Sequence, residues 1–249
     1  MHGDAKFRTT TGNWFTAARC PTPWTTTFAG MNLPLIQRLR SFRHPVVIHR
    51  AQGVHGPLEV CWERGRKVLN SATANQSFGA LHRVMQQVLP QAMKGIPALR
   101  SVLLLGMGGG SVIRILRREL KLDPMITVIE IDPVVIALAA CHFGMAPDPH
   151  LRIINADATL HLHVLRERFD LVVVDLFDDS DPATGTTTSG FIHTLCDRVA
   201  EHGRVCFNTL AHDEHTNACS DRVERHLQRT FPRVMELRSE GLNRVFVAS

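Results

Sequence analysis

Residues 100–132 read RSVLLLGMGGGSVIRILRRELKLDPMITVIEID. A short apolar run, Val102 to Leu105, meets glycines at Gly106, Gly108, Gly109 and Gly110. A segment with helical spacing starts near Val112, and a second apolar run ends in Glu130. The order is strand, tight turn, helix, strand, with an acid at the second strand's tip. Glycine lets the backbone turn sharply and lets a ligand lie against bare main chain. The helix that follows presents unpaired N–H groups to that ligand. A carboxylate at Glu130 has lone pairs for both hydroxyls of a ribose. The stretch therefore points to a nucleoside-containing ligand at the carboxyl ends of a parallel sheet. The plainer reading makes the glycines an ordinary turn and Glu130 a solvated strand end. The glycine spacing does not complete G-x-G-x-x-G, because Ser111 and Ile113 stand where it would close. That spacing disfavours a nicotinamide dinucleotide and the oxidoreductase reading that goes with it.

Outward from this stretch, strand-like runs fall near 125–131, 151–154, 170–175, 203–209, 233–237 and 243–248. Helical spacing falls near 110–121, 133–142, 158–166, 188–200 and 214–230. Such alternation implies an α/β fold with a mostly parallel sheet covered on both faces. The short last connection suits an antiparallel C-terminal strand. Upstream, VVIHR, GPLEVCWE and RKVLN read as three short strands of an antiparallel meander over 45–75. Helical spacing follows over 77–93, and Pro90 is expected to stop or bend it. Residues 1–44 form an arm with no legible pattern, broken by Pro21, Pro23 and Pro34. Residues 76–249 are then the nucleoside-binding domain.

Composition bounds the function. The 249 residues are 44% hydrophobic, enough for a real core. A formal charge of +5 and the absence of a recognition motif give no reason to expect a nucleic-acid partner. No run approaches the ~20 apolar residues of a membrane span, so no membrane partner is expected. Six cysteines without a C-x-x-C pair suit a reducing compartment, and the cytoplasm is the expectation. His161-Leu-His163 and His212-Asp-Glu-His215 lack the zinc arrangement H-E-x-x-H, and no metal is assigned.

The succession GRKVLNSATANQS, ALHRVMQQVL, LLLGMGGGS, VIEIDP, ADA and FDLVVVDLFDD resembles the spermidine synthase (polyamine aminopropyltransferase) superfamily. Its methyltransferase-like relatives are the nearest in style, with a Rossmann-like methyltransferase fold. The resemblance covers roughly Val46 to the C-terminus. It implies a transferase that binds S-adenosylmethionine or its decarboxylated form and passes an aminopropyl or other alkyl group to an amine. Methyl transfer is the alternative, and a noncatalytic nucleoside-binding scaffold is another. By the same resemblance Gln76, Gly106, Gly108, Gly110, Glu130 and Asp157 would hold the cosubstrate. Asp175 would be the catalytic acid–base group, His82 would meet the substrate, and a homodimer is implied; Asp178, by its negative charge, would attract a cationic amine substrate. Asp157 is equally a helix cap, and His82 equally a packed histidine.

Departures from the family pattern stand beside the matches. The chain contains no Tyr, so Leu81 and Arg83 flank His82. Gly109 replaces the loop aspartate that holds the cosubstrate's amine in the synthases. The run Asp175-Leu-Phe-Asp-Asp-Ser-Asp181-Pro182 is three residues longer than theirs before Asp-Pro.

Overall fold

The structure, a computed structural model, describes residues 6–8, 14–16, 33–71, 75–77, 80–178, 181–238 and 242–249. Two short strands, β1 (Lys6–Arg8) and β2 (Trp14–Thr16), pair antiparallel. Helix α1 (Leu33–Arg40) follows, in the stretch whose pattern was illegible.

The meander is β3 (Val46–Gly53), β4 (Gly56–Glu63) and β5 (Arg66–Ser71), with a short fourth strand, β6 (Asn75–Ser77). All four pair antiparallel with their chain neighbours. β6 adds to the three strands expected, because the chain leaving β5 doubles back along it. Helix α2 (Ala80–Ala92) then runs two residues past Pro90. Pro90 and Gln86 both lie on its exposed face, so the carbonyl that loses its N–H partner faces solvent.

The main sheet holds β7 (Ser101–Leu105), β8 (Met125–Glu130), β9 (Leu151–Asn155), β10 (Phe169–Val174), β13 (Val199–Leu210), β14 (Val234–Arg238) and β15 (Asn243–Ala248). Their order is β14-β15-β13-β10-β7-β8-β9. The pairs from β13 to β9 are parallel, and β15 runs antiparallel between β13 and β14. The chain winds one way from β7 to β9 and the other way from β10 to β13. The crevice between β7 and β10 is thus where the winding reverses, the usual place for a ligand in such sheets.

The sheet is covered by α3 (Ser111–Arg114, continuing as a π-helix, Ile115–Glu119) and α4 (Pro133–Leu138, continuing as Ala139–Phe143). Three more helices complete it: α5 (Ala158–His161), α6 (Ser189–Asp197) and α7 (Glu214–Thr230). α5 is shorter than the 158–166 expected. After one turn the chain sends Leu162 and Leu165 into the core and leaves Leu160 and Val164 exposed.

Alternation along the strands sorts side chains into two cores. Val102, Leu104, Val128 and Val173 pack with α2, α3 and α4 on one face. Leu103, Leu105, Val172, Val174 and Phe207 pack with α6 and α7 on the other. Strands buried on both faces read as unbroken apolar runs, as LVVV does here. Leu58, Val60 and Leu69 of the meander join the first core, so the small sheet and the main sheet share one apolar interior.

Candidate functional site

The carboxyl ends of β7, β8, β9, β10 and β13, with the β3–β4 turn above them, line a cleft of about 690 Å³. Its size lies within the ~300–1,000 Å³ common for small-molecule sites. Gly106, Gly108, Glu130, Asp157, Asp175 and Asp178 all line it.

Gly106 ends β7 with φ 84°, a conformation that disfavours any side chain. A Cβ there would overlap the carbonyl oxygen of Asp175. Glycine therefore lets β7 and β10 end side by side, which brings the loop to the acid. Gly108 also has positive φ, 49°, and borders the cleft. Gly110 does not line it. With φ 84° it sets the start of α3, and a Cβ would come within 2.6 Å of Met145. The lack of a side chain there lets the helix pack against Met145.

Glu130 is 8% exposed, with both carboxylate oxygens anchored. Oε2 accepts from the Met107 N–H at 2.8 Å and Oε1 from the Asp132 N–H at 3.0 Å. Burial pushes its carboxyl above the usual range, while those N–H groups oppose the shift. A third backbone donor, the Gly108 N–H, also meets the carboxylate, which keeps lone-pair capacity beyond these bonds. The carboxylate is thus held rigidly at the cleft wall, with glycine backbone beside it, and it fits a ribose diol.

Asp157 combines its two readings. Its Oδ1 accepts from the Thr159 N–H at 2.8 Å and from Thr159 Oγ1 at 2.6 Å, capping α5, while the residue also borders the cleft.

Asp175 follows β10 at the floor. Its backbone N–H donates to the Leu105 carbonyl at 2.9 Å, fixing it beside the glycine turn. Its Oδ1 accepts from Asn208 Nδ2 at 2.8 Å. Burial, reinforced by the Glu130 charge, pushes its carboxyl up to about 6, against the Asn208 bond. An acid that changes charge near neutrality suits proton transfer.

Asp178 sits in a miniature hairpin, β11 (Phe177–Asp178) and β12 (Asp181–Pro182). Its Oδ2 accepts from the Thr184 N–H at 3.2 Å, and His55 Nδ1 lies 3.4 Å from Oδ1. Thr184 itself lines the cleft.

Among the described side chains, His82 is not brought in. His82 is 3% exposed, and its Nε2 lies 3.0 Å from Glu119 Oε1 on α3. Burial lowers its pKa, and the neighbouring Leu81 lines the cleft instead. On α2 a step of one residue turns the side chain by about 100°, so His82 faces α3 and Leu81 the cleft. Gln76 lies in β6, with its side chain outside the described residues.

Several lining residues escaped the reading of the sequence. Asp132 is 4% exposed. Its Oδ1 accepts from the Val134 N–H at 2.7 Å, capping α4, and its Oδ2 accepts from the Val54 N–H at 2.7 Å, tying down the meander tip. Asp-Pro at a strand end is a legible cap signal, but its bond to Val54 spans 78 positions. Asn208 and Asn243 also line the cleft, and Asn243 Nδ2 donates to Asn208 Oδ1 at 3.0 Å. The one sequence sign of Asn208 was a polar residue inside the apolar run VCFNTL. His55, in the Gly53–Gly56 turn, and His212 also border the cleft.

Comparison with known proteins fits this geometry. Residues 82–239 match the Spermine/spermidine synthase domain. The polyamine aminopropyltransferase of Thermococcus onnurineus is 30% identical over 111 residues, 43% of this chain and 39% of that protein. The eEF1A lysine and N-terminal methyltransferase of Danio rerio is 32% identical over 114 residues, 42% of this chain and 16% of that protein. The chain thus spans well under half the length of either relative. Among solved structures, the spermidine synthase of Thermotoga maritima superposes with a TM-score of 0.66 at 19% identity, covering 82% of this chain and 72% of that one. With the matched domain spanning most of the main sheet and its cleft, the chain belongs to the spermine/spermidine synthase domain family.

Proposed function

We propose that the cleft binds an adenosyl sulfonium, S-adenosylmethionine or its decarboxylated form, and that the protein transfers an alkyl group from it to an amine. The observation that supports this reading is one cavity holding the Gly106–Gly108 backbone, the anchored Glu130 carboxylate and Asp175. Glu130 would take the ribose, the glycine turn the amino-alkyl arm, and Asp157 the adenine edge. When bound, the sulfonium supplies a carbon whose bond to sulfur breaks, the pair leaving with sulfur, as the acceptor nitrogen's lone pair forms the new bond.

Asp175 then has one task, to hold the acceptor amine and take the proton that it sheds. An ammonium has no lone pair, so an amine that arrives protonated must lose a proton before it attacks. Asp178 adds negative charge at the mouth, which favours a cationic acceptor. The rest of the work is alignment, which a rigid floor of strand ends provides.

Aminopropyl transfer is the reading that the family name favours. One observation favours methyl transfer instead: the loop Gly106–Ser111 carries no acid to hold the amine of the decarboxylated cosubstrate. Isothermal titration with both sulfonium compounds, followed by an amine screen with Asp175→Asn as control, separates the two. Binding of the carboxylated compound alone, with methylated product, selects methyl transfer. Failure of both compounds to bind or to raise the melting temperature at saturation would remove the proposal.

A further inference from the structure

Asn208 is 2% exposed at the end of β13, and a carboxamide buried to that degree needs its partners. It has two on opposite sides. Its Nδ2 donates to Asp175 Oδ1 at 2.8 Å, and its Oδ1 accepts from Asn243 Nδ2 at 3.0 Å. Asn243 is the first residue of β15, where it pairs with Leu210, and Asn208 pairs with Val245. The antiparallel register of the last strand thus sets the second amide behind the first.

We infer that Asn243 and Asn208 form a two-amide relay that positions the Asp175 carboxylate, committing Oδ1 to the Asn208 amide, leaving Oδ2 for the acceptor, and selecting the ionised form. The orientation follows from donor and acceptor counts. With Asn243 donating to Asn208 Oδ1, the Asn208 amide must turn its NH₂ toward Asp175, and an NH₂ bonds only to an acceptor. A carboxylate offers that acceptor on both oxygens, whereas a protonated acid has one oxygen occupied by its own hydrogen.

The relay acts against two opposing influences, burial of Asp175 and the Glu130 charge at the end of β8. Cys206, two residues before Asn208 on the same strand face, holds its proton because burial and the Asp175 charge push its thiol up to about 12. His55, Asp132, Asp157, Asp178 and His212 are the other titratable groups lining the cleft. None of these gives Asp175 a hydrogen bond among the described residues; Asn208 does. Asn208 is a positioning residue, and Asn243 positions it in turn.

The inference rests on Asp175 as proton acceptor only where rates are concerned, so the test has an arm that needs no substrate. The Asp175 carboxyl is titrated by ¹³C NMR in the wild type, Asn208→Leu and Asn243→Leu, with its signal assigned by its loss in Asp175→Asn. The midpoint is expected to rise by about one unit in Asn208→Leu, since a donor to the charged form has gone. A smaller rise is expected in Asn243→Leu, which keeps the donor but frees it to turn. An unchanged midpoint in both variants overturns the relay. Asn243 lies at the cleft edge, so its variant keeps the test sound if Asn208→Leu does not fold. In the rate arm, the acid limb of the pH–rate profile moves by the same amount as the midpoint, lowering turnover about tenfold well below the midpoint. A midpoint that moves while the rate profile stays in place overturns the catalytic half of the inference. A midpoint that moves in a protein with no transferase activity upholds the relay and removes the proposed function.

Discussion

Asp175 carries two consequences that one substitution separates. Its folded-state carboxyl lies at about 6, above the ~3.9 of an unfolded aspartate. A raised acid contributes its stability fully below the unfolded value, and that contribution is lost as pH rises toward 6. Asp175→Asn should therefore raise the melting temperature at pH 8 relative to wild type and leave it nearly unchanged at pH 4. Thermal scans at the two values check the sign, and stabilisation only in acid would contradict it. The same substitution is expected to cost ~10²–10⁴-fold in transfer while leaving cosubstrate affinity close to wild type. Glu130 should show the converse. Glu130→Gln turns an NH₂ toward the N–H of Met107 or Asp132, so cosubstrate affinity should fall ~10–100-fold by calorimetry. Equal affinity in that variant would take the ribose away from Glu130.

Among the elements, the turn after β7 and the tip of the meander decide the cleft's shape. Gly106→Ala places a methyl group on the Asp175 carbonyl, a backbone atom that cannot turn aside. The ends of β7 and β10 must separate, and the rise in melting temperature caused by cosubstrate should vanish even where the variant folds. A full rise would show that the turn has slack. Asp132 joins α4 to the Val54 amide. Asp132→Ala is expected to lose ~1 kcal/mol from the cap alone, with more from the freed tip. Amide exchange at Val54 should accelerate more than exchange in the centre of β4. Equal protection at Val54 in both proteins would mean that the tip is held by other contacts.

Across the whole molecule, the cleft's two sides come from the two halves of the winding. β7, β8 and β9 bring the glycine turn, Glu130 and Asp157, while β10, β13 and β15 bring Asp175, Asn208 and Asn243. Binding should therefore protect both halves. Saturating cosubstrate at 100 times its dissociation constant should stabilise the fold by ~2.7 kcal/mol. Hydrogen exchange should slow at the Met107 and Asp132 amides first, because those groups anchor the carboxylate that meets the ligand. Protection confined to the β13–β15 side would place the nucleoside on the wrong half.

What the sequence determined by itself was local and periodic. Unbroken apolar runs located the buried strands, glycines at 106 and 108 announced a turn that needs positive φ, and acids at strand tips named Glu130 and Asp175 as groups facing a crevice. Even there, one step along α2 separated His82 from the cleft, because a helical residue's direction depends on which neighbour the helix packs against. Tertiary structure alone decided the rest. Asn208 meets Asp175 across 33 positions and Asn243 across 35, and Val54 meets Asp132 across 78. The first two pairings follow from strand order and register within the main sheet, and the third from the meander's turn docking on the start of α4, and no window of neighbouring residues contains that information.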